Sequence, residues 1–128
     1  MKTPIWLDRS EALAIHDLLL AQHGGLAGVR DDGLLESALA KPQNRFAYES
    51  PTLAEMAAGY AAGIIRNHPF LDGNKRTGFM LAVTFLELNG LRFTATEESV
   101  VERTVALASK AITEAAYAAW IKANAKRA

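Results

Sequence analysis

Nine consecutive positions, His68-Pro69-Phe70-Leu71-Asp72-Gly73-Asn74-Lys75-Arg76, hold an unusual density of chemistry between two apolar, helix-like segments. A hydrophobic core has no use for a histidine, an aspartate, an asparagine, a lysine and an arginine so close together. An imidazole can accept a proton near neutral pH. A carboxylate can hold a hard cation, a glycine lets the backbone approach an anion closely, and two basic side chains supply positive charge. The combination is suited to handling phosphate.

Spacing sharpens this reading. The loop leaves one helix at His68 and enters the next near Asn74, so Gly73, Asn74 and Lys75 fall at a helix N-terminus. Backbone N–H groups there lack intrahelical partners and sit at the positive end of the helix dipole, a prepared anion site. Arg76 can grip two phosphate oxygens at once, and Lys75 adds a second charge. A nucleotide polyphosphate fits this better than a carboxylate does, and a single phosphate is also compatible. Asp72 beside such a nest would repel phosphate alone and favour it through Mg²⁺, so a metal role is preferred here over a plain helix cap. Pro69 is expected to hold His68 outside the helix in an extended conformation, at the lip of the loop. His16 and His23 read as structural, and Phe70 as a buried anchor. Zinc is not supported, because His68 and Asp72 do not share a helix face and no cysteine or third histidine joins them.

The elements that must position this loop follow from periodicity and capping. Asp8-Arg9-Ser10-Glu11 has capping-box spacing, and Leu13, Ile15, Leu18, Leu19 and Leu20 extend a helix to Gly24-Gly25. A second helix is expected from about Asp31-Asp32, stopped by Pro42, with a loop over 42–51 that carries Phe46 and Tyr48. Thr52-Leu53-Ala54-Glu55 opens a third helix ending about Asn67, and a fourth runs from about Asn74 to Asn89 with Gly90 as its stop. Phe79-Met80-Leu81-Ala82-Val83 followed by Phe85-Leu86 is apolar nearly all round, which marks the fourth as the helix at the centre of a bundle. Leu91-Arg92-Phe93-Thr94 reads as a short strand beside Ile5-Trp6-Leu7. Two more helices are expected, from Glu97 to about Ala108 and from Glu114 to about Ala125, the latter capped by Thr113. The fold class is all-α: a bundle of about six helices with at most a small β-hairpin, in a single domain over 1–128.

Composition agrees. Half of the 128 residues are hydrophobic and proline is scarce, with four in the chain, which favours helix. The formal net charge is zero, so no global field draws the protein to nucleic acid or an anionic membrane. There is no cysteine, which excludes thiolate chemistry and fits a reducing cytoplasm. The first residues lack an apolar run of signal-peptide length, and no stretch is long enough to span a bilayer. A cytoplasmic protein is expected, without direct nucleic-acid contact: Lys75-Arg76 have no aromatic stacking surface beside them.

The loop resembles the signature of Fic-fold proteins, His-Pro-Phe-x-(Asp/Glu)-Gly-Asn-Gly-Arg-x-x-Arg. The match runs from His68 through Asn74 and resumes at Arg76. Lys75 stands at the second glycine and Phe79 at the final arginine, and those departures are themselves the pattern of the death-on-curing (Doc) branch. The stretch from His23-Gly24-Gly25-Leu26 to Ala38-Leu39 is similar to that branch as well.

The resemblance implies the toxin of a type II toxin–antitoxin pair. In its terms His68 activates a target hydroxyl, Asp72 holds Mg²⁺, Gly73 and Asn74 form the anion nest, and Arg76 neutralises the polyphosphate. His68, Asp72 and Arg76 are thus the catalytic candidates, and Gly73, Asn74, Lys75 and Arg76 bind the nucleotide. Most Fic enzymes transfer AMP from ATP; the Doc branch presents the γ-phosphate and phosphorylates a threonine of elongation factor Tu, stopping translation. The substitutions at 75 and 79 weaken the case for AMP transfer, which stands as the alternative enzyme activity, and a non-catalytic partner-binding module is the alternative of another class. The inhibitory pattern Ser/Thr-x-x-x-Glu-(Gly/Asn) found in many Fic proteins is absent, so inhibition is expected in trans, by a small antitoxin whose flexible segment folds as a helix on binding. The resemblance also places a target-positioning flap around Arg45, Phe46, Ala47 and Tyr48; the competing reading has Phe46 and Tyr48 packed on the bundle.

Overall fold

The computed structural model describes residues 2–128 and runs α1 (Arg9–His23), α2 (Asp32–Tyr48), α3 (Leu53–Asn67), α4 (Asn74–Leu88), β1 (Leu91–Phe93), α5 (Glu97–Ala108), α6 (Glu114–Ala123) and β2 (Ala125–Arg127). The expected all-α class holds, with one small antiparallel pair of strands. Capping boxes start α1 and α3: Asp8 accepts from the Glu11 N–H while Glu11 accepts from Asp8, and Thr52 and Glu55 repeat the exchange. Such caps contribute about 1 kcal/mol each. The Thr52 N–H holds the Glu55 carboxyl below the usual carboxylate range, and Arg45 adds to that effect.

The central helix is α3, not α4 as the apolar run over 79–86 suggested. Every residue of α3 from Met56 to Ile65 is buried, whereas Phe79, Met80, Val83 and Thr84 of α4 are only partly so. Small residues make this position possible. A Cβ on Gly63 would lie 3.1 Å from the Ala38 Cα of α2, and one on Gly78 of α4 would lie 3.0 Å from the Ala61 carbonyl oxygen. Both neighbours therefore approach α3 backbone to backbone, and the larger apolar side chains of α4 project partly outward.

Pro42 does not end α2. The helix continues through it to Tyr48, and the proline ring is buried against Gly59 of α3. An interior proline removes one helical hydrogen bond and costs roughly 3 kcal/mol in an isolated helix. Here the ring fills the space above a glycine, and the Ala38 carbonyl that lost its donor faces Gly63. Arg45, Phe46, Ala47 and Tyr48 are consequently the last turn of α2 rather than a loop; the Arg45 carbonyl accepts from the Glu49 N–H, and the carbonyls of Phe46, Ala47 and Tyr48 have no donor among the described residues. Phe46 packs edge-on against Trp6 at 5.6 Å, as the packing reading has it, whereas Tyr48 is exposed and does not pack on the bundle.

The strand at 91–93 pairs with Ala125–Arg127 rather than with Ile5-Trp6-Leu7, in the register Leu91↔Arg127 and Phe93↔Ala125. The same pairing shortens the last helix, which stops at Ala123. The amino-terminal segment is held by side chains instead. The Ile5 N–H donates to Asn89 Oδ1 at 2.8 Å, Asn89 Nδ2 returns to the Ile5 carbonyl at 3.0 Å, and the Leu7 N–H donates to the Tyr60 hydroxyl at 3.1 Å. Among the described residues no helix is long and apolar enough to cross a membrane.

Candidate functional site

The chemistry-bearing loop joins the two most tightly packed helices, α3 and α4. α3 ends when the His68 N–H donates to the Ile64 carbonyl, and His68 itself takes φ 53°, ψ 52°. The expected extended conformation is therefore corrected. Proline at the next position disfavours the right-handed region, and the chain turns through the left-handed one, as helix C-termini commonly do. His68 is exposed at this corner.

Asp72 is not the cap of α4. Gly73 occupies that position at φ 76°, with no side-chain cap. The Asp72 carboxylate accepts from the Gly73 N–H at 2.9 Å through Oδ1 and from the Leu26 N–H at 3.2 Å through Oδ2. Each oxygen retains lone-pair capacity, and the group is exposed, so it is oriented and still able to bind a cation. The Gly73 N–H is thereby spent on Asp72, which corrects its assignment as an anion donor. The N–H groups of Asn74, Lys75 and Arg76, the first three of α4, have no acceptor among the described residues. The nest is displaced one residue along the chain.

Asn74 has a different part from the one expected of its type. It is 4% exposed, with Oδ1 accepting from the Phe70 N–H and Nδ2 donating to the Phe70 carbonyl, both at 3.0 Å. Its side chain closes the loop on itself and leaves only its N–H for a ligand. Phe70 is fully buried, as expected. Lys75 and Arg76 are exposed and form no ion pair or side-chain hydrogen bond among the described residues, so their charge is uncommitted.

His16 and His23, read alike from sequence, diverge. His16 is 2% exposed, stacks on Phe70 at 3.8 Å between ring centres, and donates from Nε2 to the Asp72 carbonyl at 2.8 Å. Since a carbonyl can only accept, the proton sits on Nε2. His23 is exposed and lines the same cleft as His68. That cleft, open and about 1370 Å³, brings together His68, Asp72, Gly73, Asn74, Lys75 and Arg76 from the loop and α4, and is bordered by Glu98, Val101, Glu102 and Val105 of α5.

The segment 24–31 is the part of the site that motif reading missed. The Gly28 carbonyl accepts from Leu71 N–H at 3.1 Å, Val29 bridges Phe70, and a Cβ on Gly25 would fall 2.8 Å from Asp72 Oδ2. Glycines at 24, 25 and 28 were the available signal, because such density marks a backbone approached closely.

Comparison with known proteins agrees with this architecture. The Fic/DOC family model matches residues 6–86, and the chain belongs to that family. Among its relatives are the protein named Protein kinase doc of Escherichia phage P1, 41% identical over 83 residues, and Toxin Doc of Mycolicibacterium smegmatis, 40% identical over 94 residues. These alignments cover 64% and 70% of this chain, and 66% and 68% of the respective relatives.

Proposed function

We propose that this protein is the toxin of a type II toxin–antitoxin pair and acts as an ATP-dependent protein kinase. Its acceptor is a threonine hydroxyl of a translation factor, elongation factor Tu, and its effect is to arrest translation in the cytoplasm. The observation that carries the reading is convergence in one cleft: an exposed imidazole, an oriented carboxylate, three unpaired N–H groups and two uncommitted cations. The names of the two relatives point the same way.

The residues fit a magnesium nucleotide. Asp72 is exposed, with lone pairs free on both oxygens, and stands beside the α4 N-terminus. Asp72 would hold Mg²⁺ there, and the ion would supply charge to offset that of the phosphates. The N–H groups of Asn74, Lys75 and Arg76 face an anion along the helix dipole, and the Arg76 guanidinium matches a phosphate oxygen pair. A ring nitrogen of His68 takes the proton of the acceptor hydroxyl as its oxygen bonds to the γ-phosphorus. The bond from that phosphorus to the β–γ bridging oxygen breaks, and ADP departs with the electron pair. Positioning and charge neutralisation suffice for such a transfer. An antitoxin with a segment that folds on binding would restrain it in trans.

Intact-mass analysis of elongation factor Tu after incubation with the protein, ATP and Mg²⁺ tests this. A phosphate-sized gain, lost with His68→Ala, is expected. An AMP-sized gain would redirect the assignment to adenylyl transfer, and no gain on any translation factor would return it to partner binding without catalysis.

A further inference from the structure

Three successive carbonyls at the end of α3 and the start of the loop accept hydrogen bonds from one residue of another part of the chain. Arg30 Nε donates to the His68 carbonyl at 2.8 Å, Arg30 Nη2 donates to the Asn67 carbonyl at 3.0 Å, and the Arg30 N–H donates to the Pro69 carbonyl at 2.6 Å. The Asp31 N–H adds a second donor to Pro69 at 3.1 Å, and Asn67 Nδ2 returns to the Leu34 carbonyl at 2.9 Å. The carbonyls of a last helical turn have no intrahelical donors, and a planar fork can serve two of them at once. Its charge also complements the negative end of α3.

His68 needs such a hold. It and Lys110 are the two non-glycine residues at positive φ among the described residues, a conformation that side chains with a Cβ disfavour. Arg30 is itself exposed and does not line the cleft, so it neither fills the core nor reaches a ligand there. Both guanidinium donors named above are engaged by backbone.

We propose that Arg30 is a positioning residue for His68: its guanidinium locks the left-handed corner from which the imidazole enters the cleft. The inference rests on the reading of His68 as the base, and deepens it. Arg30 acts through His68 and touches neither nucleotide nor acceptor.

The test uses Arg30→Ala in the full chain, with Arg30→Lys as the conservative variant, and three measurements. Mg-ATP affinity by calorimetry should stay within about twofold of wild type, because the phosphate groups are elsewhere. The backbone ¹³C shifts of His68 should leave their left-handed values in Arg30→Ala. The kcat for transfer should fall on the order of ten- to a hundredfold with KM for the acceptor unchanged, since small misplacement of a reacting group costs rate rather than binding. Arg30→Lys should recover part of the rate, because one ammonium can serve one carbonyl of the two. Unchanged His68 shifts, an unchanged kcat, or a parallel loss of Mg-ATP affinity and melting temperature each overturn the proposal. A wild-type protein that binds Mg-ATP and transfers nothing would instead overturn the kinase reading, and the His68 shifts would then decide whether Arg30 holds that corner.

Discussion

His16 donates from Nε2 to the backbone carbonyl of Asp72 at 2.8 Å, from beneath a loop that it also supports by stacking on Phe70. A buried α1 side chain thus sets the height of the residue whose carboxylate faces the cleft. Removing it leaves the Asp72 carbonyl without that donor and opens a space beside Phe70. His16→Ala is expected to lower stability by about 1–3 kcal/mol and to weaken Mg-nucleotide binding as well. Chemical denaturation and calorimetry read the two effects. A stability loss with unaltered nucleotide affinity would confine His16 to the core.

Gly25 offers a sharper test of Asp72. Its φ is +123°, and an added Cβ would meet Asp72 Oδ2 at 2.8 Å. Gly25→Ala should push the carboxylate away from the Leu26 N–H while the helices persist. The expected outcome is a raised Mg²⁺ requirement for nucleotide binding, read by titration at fixed ATP, with helical circular dichroism preserved. A Mg²⁺ dependence identical to wild type would show that Asp72 holds no metal or that the loop accommodates the methyl group.

Packing around α3 predicts opposite results for two of its glycines. An added Cβ at Gly63 meets the Ala38 backbone at 3.1–3.2 Å, whereas one at Gly59 meets the Pro42 ring at 3.4 Å, an ordinary contact. Gly63→Ala should therefore destabilise by roughly 1–3 kcal/mol as α2 is forced off. Gly59→Ala should be neutral or raise stability by up to about 1 kcal/mol through helix propensity. Urea denaturation of the two variants, side by side, checks the order; equal losses would refute this account of how α2 reaches α3.

Two buried tyrosines govern alkaline behaviour. Burial pushes Tyr60 up from 10.0 to about 12 against the Leu7 N–H, which lowers it, with Glu11 adding to the rise; burial also pushes Tyr117 to about 12 against its hydrogen bond to Thr104. Both are acids that stay neutral in the folded protein after they ionise in the unfolded chain. Their stabilisation is whole below pH 10 and is lost as pH climbs toward 12. Stability measured by denaturant should fall across that window. The double variant Tyr60→Phe/Tyr117→Phe should start less stable, because the Leu7 N–H and the Thr104 hydroxyl lose partners, and then show a shallower decline. An equally steep decline would assign the alkaline transition to other groups.

Much of this protein was legible along the chain. The capping signals at Asp8 and Thr52, the stops at Gly24 and Gly90, and the residues His68 to Arg76 are local features, and local physics decides them: a side chain within three positions of an orphan N–H caps it, and the N-terminus of any helix offers unpaired donors. The class of chemistry proposed for the loop also rests on residue types alone. Tertiary structure decided the rest, because each remaining question turned on what a distant segment supplies. Pro42 stays helical since Gly59 receives its ring, and the strand at 91–93 finds residues 125–127 rather than 5–7. The Gly73 N–H and the Asn74 side chain go to neighbours in the loop, so the donors left for a ligand begin at the Asn74 N–H. Residues 16, 26, 28 and 30 hold that loop by contacts that cross about forty positions of sequence or more, where no periodicity reaches and only the packed fold brings donor to acceptor.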